Sequence, residues 1–159
     1  MNYKEASEIL IMSSSYEVFE NFLTIKNELD DKTYWRILSE AYTSSDNLFR
    51  YSNEVKQAFR EDRDFRTLLM SKTDLKLYNN LPCKLIIYRG MTIKELESGD
   101  FGVSWTLSRK VAEFFANIYG RNHDTRHLPK IVHQLEVSKE LICAYFSDRK
   151  EEEVILLGK

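Results

Sequence analysis

The pattern of apolar residues changes at Pro82, and this change constrains the fold more than any other feature of the chain. Before Pro82, apolar residues recur every three or four positions, which predicts amphipathic helices. After it come short apolar runs rich in β-branched residues, such as residues 85–88, which predict buried strands. Because helices precede strands, we expect an α+β fold with a helical lobe over residues 1–80 and a β-rich core over residues 81–159. The lobe should pack on the sheet, so that both parts form one compact domain.

Four apolar stripes define the predicted helices of the first half. Ser14 and Glu17 precede the first stripe at the spacing of a capping box. We expect the stripes to fill the core rather than to form a binding surface. They comprise Val18, Phe22, Ile25 and Leu29; Tyr34, Ile37, Leu38, Ala41 and Tyr42; Leu48, Tyr51, Val55 and Phe59; and Phe65, Leu68 and Leu69, continuing to Leu75 and Tyr78.

The second half combines short strands with one more helix. Strands are predicted over residues 85–88, 103–107, 131–137, 141–146 and 154–157. Ser108 can cap a helix that ends at Gly120, since glycine suits the C-terminal end of a helix. Its apolar face carries Val111, Phe114, Phe115, Ile118 and Tyr119. Residues 121–130 are polar and predict an exposed loop.

Composition narrows the range of partners. The 159 residues suit one domain with a sizeable core. Lys and Arg number 23 against 25 Asp and Glu, a net charge of −2, so we expect no nucleic acid bound mainly through charge. No membrane span or signal-peptide pattern is present, so we expect a cytoplasmic location, in the producing cell or in a host. Cys83 and Cys143 lie in apolar, strand-like surroundings and are expected to be reduced, buried thiols, although two thiols also permit one disulfide.

Three carboxylates, Glu151, Glu152 and Glu153, run directly into four large apolar residues. In an extended chain, successive side chains point to opposite faces, so Glu151 and Glu153 should share one face and Glu152 should point away. A charge at the mouth of a buried strand is costly without a partner. Two interpretations are open: a charged strand edge that keeps the chain soluble, or carboxylates held at a cleft for chemistry.

Two further strand ends carry polar groups. Arg89 ends an apolar strand, where a guanidinium needs an anion or a salt bridge to one of the three glutamates. Gly90 follows it and permits a sharp bend or a close approach of a ligand. On the next strand, Ser104 and Thr106 present two hydroxyls on one face, with Trp105 on the other.

Other chemical classes are weakly indicated or unsupported. His123, Asp124 and His127 have a helical metal-ligand spacing, but they fall in a predicted loop without a third ligand at a known spacing, so we expect no metal. The sequence has no Gly-rich phosphate loop, no CxxC motif and no nucleophile elbow.

The order Tyr88-Arg89-Gly90, then Ser104-Trp105-Thr106, then Glu151-Glu152-Glu153, resembles the Arg-Ser-Glu class of ADP-ribosyltransferases. This class contains many bacterial toxins, phage enzymes and eukaryotic ectoenzymes. The resemblance covers residues 85–157. It implies a mixed β-sheet that binds NAD as co-substrate, and a mono-ADP-ribosyltransferase that moves ADP-ribose to a macromolecule, most simply a protein.

The resemblance also implies roles for single residues. Glu153 matches the catalytic glutamate and Ser104 the serine that orients it, while Glu151 matches the first acid of the family's Glu-x-Glu pair. Arg89 matches the arginine that holds the NAD phosphates and ribose. Further cofactor contacts are implied at Gly90 and Thr106, at Phe114 on the aromatic-faced helix, and at Arg121 in the loop before the third strand.

In the family, a Glu-x-Glu pair accompanies arginine acceptors, so the resemblance favours protein arginine. Asp148 and Arg149 stand where an aromatic residue often lies near the first acid. An NAD glycohydrolase and a non-catalytic module with the same fold are the alternatives. We expect the helical half to select the target.

Overall fold

The computed structural model describes residues 1–117 and 128–158. The chain divides into two compact units, Met1–Ser71 and Lys72–Lys159. No helix in the described ranges is long and apolar enough to cross a membrane.

The first unit is helical. Its α-helices are α1 (Tyr3–Ile11), α2 (Val18–Ile25), α3 (Asp31–Ser44) and α4 (Ser52–Arg60). Short 3₁₀ segments cover Lys26–Glu28, Leu48–Tyr51 and Arg66–Leu69. Helix α1 was not predicted; it begins at a capping box in which Asn2 and Glu5 bond each other's backbone N–H.

Aromatic side chains fill the core of this unit; Phe22, Tyr34 and Phe59 belong to the first three predicted stripes, whereas Phe19 and Trp35 do not. Phe19, Phe22, Tyr34, Trp35 and Phe59 are each fully buried. The polar groups of Tyr34 and Trp35 have hydrogen-bond partners. The Tyr34 hydroxyl donates to the Ala58 carbonyl at 2.9 Å, and the Trp35 indole N–H donates to the Asp64 carbonyl at 2.7 Å. Burial raises the pKa of Tyr34 well above its ordinary value.

The prediction that the fourth stripe forms an α-helix is wrong. Phe65 has a left-handed backbone with φ 65° and is 53% exposed, so the chain turns there instead of continuing a helix. Leu68 is also exposed, and Leu69 alone of the three is buried. The continuation forms a separate helix, α5 (Lys72–Asn79), in the second unit.

The second unit contains the sheet. Its strands are β1 (Lys84–Thr92), β2 (Ser104–Thr106), β3 (Lys130–Ser138), β4 (Ile142–Phe146) and β5 (Glu153–Leu156). Helix α6 (Ile93–Ser98) follows β1, helix α7 (Arg109–Asn117) follows β2, and a 3₁₀ segment covers Lys139–Leu141. The predicted α+β class is therefore confirmed, although α6 was not predicted.

The five strands form one sheet in the order β3-β1-β2-β5-β4. Every neighbouring pair is antiparallel, so the expectation of a mixed sheet is wrong. The short segment between β4 and β5 reverses the chain, and such a connection joins only antiparallel neighbours. Strand β5 lies between β2 and β4, and all four of its residues are buried.

Helix α7 packs closely on β1 at Gly90. A Cβ at this position would lie 2.6 Å from the Ala112 carbonyl oxygen and 2.9 Å from the Ala116 nitrogen. The helix begins as predicted, with the Val111 N–H donating to the Ser108 hydroxyl at 3.3 Å. The expectation of buried cysteines is wrong, because Cys83 is exposed and Cys143 is half-buried; no disulfide joins the two.

Candidate active site

The site is built around Glu153, the first residue of β5. Its side chain is only 4% exposed although it is ionisable. Strand β5 pairs with β2 so that Thr106 lies opposite Glu153 and Ser104 lies opposite Ile155. Ser104 and Glu153 therefore share one face, and the Ser104 hydroxyl donates to Glu153 Oε2 at 2.5 Å. This hydrogen bond fixes the orientation of the carboxylate.

Thr106, on the same face, secures the chain that leads into β5. Its hydroxyl donates to the Glu151 carbonyl oxygen at 2.6 Å and accepts the Ser108 N–H at 3.0 Å. The Leu107 N–H also donates to the Glu152 carbonyl, at 3.1 Å. Thr106 is buried, so its observed role is to tie the acidic segment to the start of α7. The cofactor contact predicted for Thr106 stays a prediction.

Arg89 lies on β1 and forms a bidentate ion pair with Glu95 of α6. Arg89 Nε donates to Glu95 Oε2 at 2.7 Å, and Nη2 donates to Oε1 at 3.1 Å. Both side chains are less than a quarter exposed. The alternative of a salt bridge from Arg89 to one of the three consecutive glutamates is wrong, because the observed partner is Glu95.

A chain of hydrogen bonds links Arg89 to Glu153. Arg89 Nη1 donates to the Ser104 carbonyl oxygen at 2.9 Å, and the Ser104 hydroxyl donates to Glu153. The guanidinium occupies the space over Gly102, where a Cβ would lie 2.4 Å from Nη2. The structure thus brings together three residues, Arg89, Ser104 and Glu153, that are far apart in the sequence.

The acidic segment is not an extended strand throughout. Lys150 and Glu152 have positive φ values of 55° and 46°, and β5 begins only at Glu153. The predicted alternation of the three glutamates along one strand is therefore wrong, because a left-handed residue separates Glu151 from Glu153. The turn is anchored from α5, where the buried Asp74 accepts a hydrogen bond from the Ser147 hydroxyl.

The cofactor contacts predicted for Gly90, Phe114 and Arg121 stay predictions. Gly90 meets the backbone of α7, which accounts for the glycine without a ligand. Phe114 lies on α7 and is 43% exposed, with its ring 5.6 Å from that of Phe115. Arg121 lies outside the described residues, as do Ile118, Tyr119, Gly120, His123, Asp124 and His127.

Glu95 and Gly102 were missed by the sequence reasoning. The Thr92–Glu95 spacing was a usable signal, because Thr-x-x-Glu marks a helix start, and the Glu95 N–H does donate to the Thr92 hydroxyl at 3.1 Å. The Glu95 carboxylate, however, turns to Arg89 and also accepts the Gly102 N–H at 3.3 Å. A cap motif carries no information about that second partner.

In this arrangement the Glu153 carboxylate accepts a hydrogen bond from the Ser104 hydroxyl, and the Arg89 guanidinium donates one to the Ser104 carbonyl oxygen. Ser104 therefore lies between a fixed negative and a fixed positive charge. A buried, oriented carboxylate can stabilise positive charge that develops on a substrate. A guanidinium fork suits phosphate oxygens. Among the described residues, no three His, Cys, Asp or Glu side chains are grouped to hold a metal ion.

Comparison with protein-family models, curated proteins and solved structures found no match for this chain.

Proposed function

We propose that this protein is a mono-ADP-ribosyltransferase that transfers ADP-ribose from NAD to a macromolecule, with protein arginine as the favoured acceptor. One observation carries the proposal: Ser104 on β2 bonds the buried carboxylate of Glu153 at the start of β5. This is the relation that the resemblance to the Arg-Ser-Glu class requires of its serine and its catalytic glutamate.

The proposed reaction breaks the bond between ribose C1′ and the nicotinamide nitrogen. Nicotinamide leaves with the bonding electrons, so positive charge develops on the ribose, as it does in glycoside hydrolysis. Glu153 stabilises that charge. Its burial strengthens the effect, because less water screens the carboxylate.

Arg89 is proposed to bind the NAD pyrophosphate. Its Nε, Nη1 and Nη2 each make one hydrogen bond within the protein. A guanidinium has five N–H donors, so two remain for a phosphate. Glu95 then acts as a positioning residue that keeps the guanidinium over Gly102, in line with Ser104.

The acceptor side of the reaction is assigned to Glu151. A guanidinium is protonated in water and needs a carboxylate to take its proton as it attacks ribose C1′. Glu151 directly precedes the Glu152–Glu153 pair, and the Thr106 hydroxyl holds its carbonyl. The side chain leaves from a turn rather than from the strand, so it can reach an acceptor outside the sheet.

The test is to incubate the protein with NAD labelled in the adenylate half, together with a cell lysate. Transfer gives a labelled macromolecule and free nicotinamide. Free ADP-ribose with no labelled macromolecule would instead indicate an NAD glycohydrolase. Intact NAD at high enzyme concentration would contradict both activities and favour a non-catalytic module.

Three glutamine variants test the roles that are proposed for the three consecutive glutamates. Glu153→Gln should lower both transfer and NAD hydrolysis on the order of a hundredfold or more, as expected when one preorganised electrostatic contact is lost. Glu151→Gln should abolish transfer to arginine while leaving nicotinamide release measurable. Glu152→Gln is the matched control and should change neither activity. The assignment fails if Glu152→Gln is the most damaging of the three while circular dichroism shows all three folded.

A further inference from the structure

Strand β3 forms one edge of the sheet, and no described strand pairs with its outer side. It is nine residues long, and its register with β1 runs without a shift from Lys130 to Ser138. An edge strand exposes a row of backbone N–H and C=O groups that can pair with another chain. The opposite edge, β4, is shorter and has four of its five residues buried.

The sequence of β3 lacks several of the features that usually protect an edge, and its only charged residues are Lys130 and Glu136. It has no proline and no glycine, and its pairing with β1 has no bulge. None of its nine residues is buried, and the apolar Ile131 is 42% exposed. An open, regular edge with an exposed β-branched residue is suited to taking on a further strand.

The strand is complementary to itself when a second copy runs antiparallel to it. With His133 opposite His133, Lys130 lies opposite Glu136 of the other copy, and Ile131 lies opposite Leu135. The twofold axis produces each pair twice. Opposite charges and apolar side chains that face each other across antiparallel strands stabilise the pairing.

Both charges are available for this pairing. Within the described part of the chain, neither Lys130 nor Glu136 has a salt-bridge partner. Glu136 is exposed and Lys130 is half-buried. In the β1–β3 register, Lys130 lies opposite Thr92 and Glu136 lies opposite Ile86, so neither lies directly opposite a charge on β1.

We infer that the protein forms a twofold homodimer in which two β3 strands pair antiparallel about His133. The two sheets then join into one continuous sheet of ten strands. A twofold interface uses the same surface on both copies, which is the relation that the Lys130–Glu136 pairing satisfies. This inference is independent of the proposed activity.

The first measurement is the solution mass of the full chain by sedimentation velocity, over a concentration series reaching about 100 μM. A dimer that dissociates on dilution is expected. A monomer at every concentration would overturn the inference.

Charge variants then test the register. Glu136→Lys places four lysines in the interface, and Lys130→Glu places four glutamates there, so each variant should dimerise at least about tenfold more weakly. The double variant Lys130→Glu/Glu136→Lys restores both opposite-charge pairs and should dimerise like the wild type. Mixing the two single variants should give a heterodimer. In that heterodimer every charged cross-strand pair is lysine against glutamate, whereas each homodimer pairs like charges.

Lys76→Glu is the matched control, because Lys76 is an exposed lysine on α5, which packs against β4 at the opposite edge of the sheet. It should leave the dissociation constant unchanged. Circular dichroism confirms that each variant is folded. If both single variants dimerise as well as the wild type, or if neither the double variant nor the mixture recovers dimerisation, the β3 interface is wrong.

Discussion

The position of the Arg89 guanidinium depends on the absence of a side chain at Gly102. The guanidinium lies directly over Gly102, at 2.4 Å from the place a Cβ would take. That neighbour is the end of a flexible side chain, so an added methyl group would move the guanidinium rather than the backbone. The three hydrogen bonds of Arg89 to Glu95 and Ser104 would then be strained or lost.

We therefore predict that Gly102→Ala weakens NAD binding by roughly tenfold, which corresponds to the loss of one charge-assisted hydrogen bond. The melting temperature should change little, because Arg89 and Glu95 are both partly exposed. Titration calorimetry with NAD measures the affinity. Gly99→Ala is the control: its positive φ of 68° strains the backbone, but no atom lies within 4 Å, so stability should fall while NAD affinity is kept. Unchanged affinity in Gly102→Ala would remove Arg89 from the binding site.

At the scale of elements, the contact between α7 and β1 is a backbone contact. Gly90 meets the Ala112 carbonyl and the Ala116 nitrogen, which cannot move without moving the helix. We predict that Gly90→Ala destabilises the protein by about 1–3 kcal/mol, the usual cost of overpacking. Thermal unfolding should show a lower melting temperature, in contrast to Gly102→Ala in the same unit. A Gly90→Ala variant with wild-type stability would mean that α7 is not held against β1 at this point.

Helix α3 depends on its N-cap, Asp30. The Asp30 carboxylate accepts the Thr33 N–H at 2.8 Å, and this hydrogen bond lowers the pKa of Asp30 below its ordinary value of 3.8. A lowered pKa in the folded state means that the ionised cap stabilises the fold above pH 3.8 and that this contribution is lost as the pH falls through the lowered value.

Asp30→Ala should therefore lower the melting temperature at pH 7, and the difference from the wild type should shrink below about pH 4. Asp30→Asn keeps a good cap without a titrating group, so it should remain near the wild type at pH 7. Melting curves of the three proteins between pH 7 and pH 3 make the comparison. A pH-independent deficit in Asp30→Ala would contradict the role of the ionised carboxylate.

For the molecule as a whole, apolar patterns were enough to predict helices α2 to α4 and the five strands, because each of them except β3 buries several side chains. They missed α1, which buries only Ala6 and Leu10, and they extended a helix through Phe65, where the backbone turns left-handed. Strand order does not follow from local pattern, so the antiparallel sheet could not be predicted. The Ser104–Glu153 pairing was reached through the ordered motifs, whereas the Arg89–Glu95 pair depends on how α6 returns to β1.

The residues of the two units suggest that one unit binds the target and the other carries out the NAD chemistry. The first unit, Met1–Ser71, contains none of the residues assigned to NAD chemistry, yet it displays exposed apolar side chains between α1 and α2. Ile11 is 78% exposed, Met12 is 88% exposed and Tyr16 is 60% exposed. Exposed apolar residues that cluster are a common mark of a protein-binding surface. We expect this cluster to contact the acceptor protein.

The double variant Ile11→Ser/Met12→Ser should therefore lower labelling of the target severalfold while leaving NAD hydrolysis unchanged. Its melting temperature should stay close to that of the wild type, because surface substitutions of this kind usually change stability by less than about 0.5 kcal/mol. Leu77→Ser on α5, which removes another exposed apolar side chain, is the control and should leave labelling intact. Labelling of the target and nicotinamide release are measured in the same reaction. An equal fall of both activities in Ile11→Ser/Met12→Ser, with Leu77→Ser unaffected, would show that this surface acts on catalysis and not on target choice.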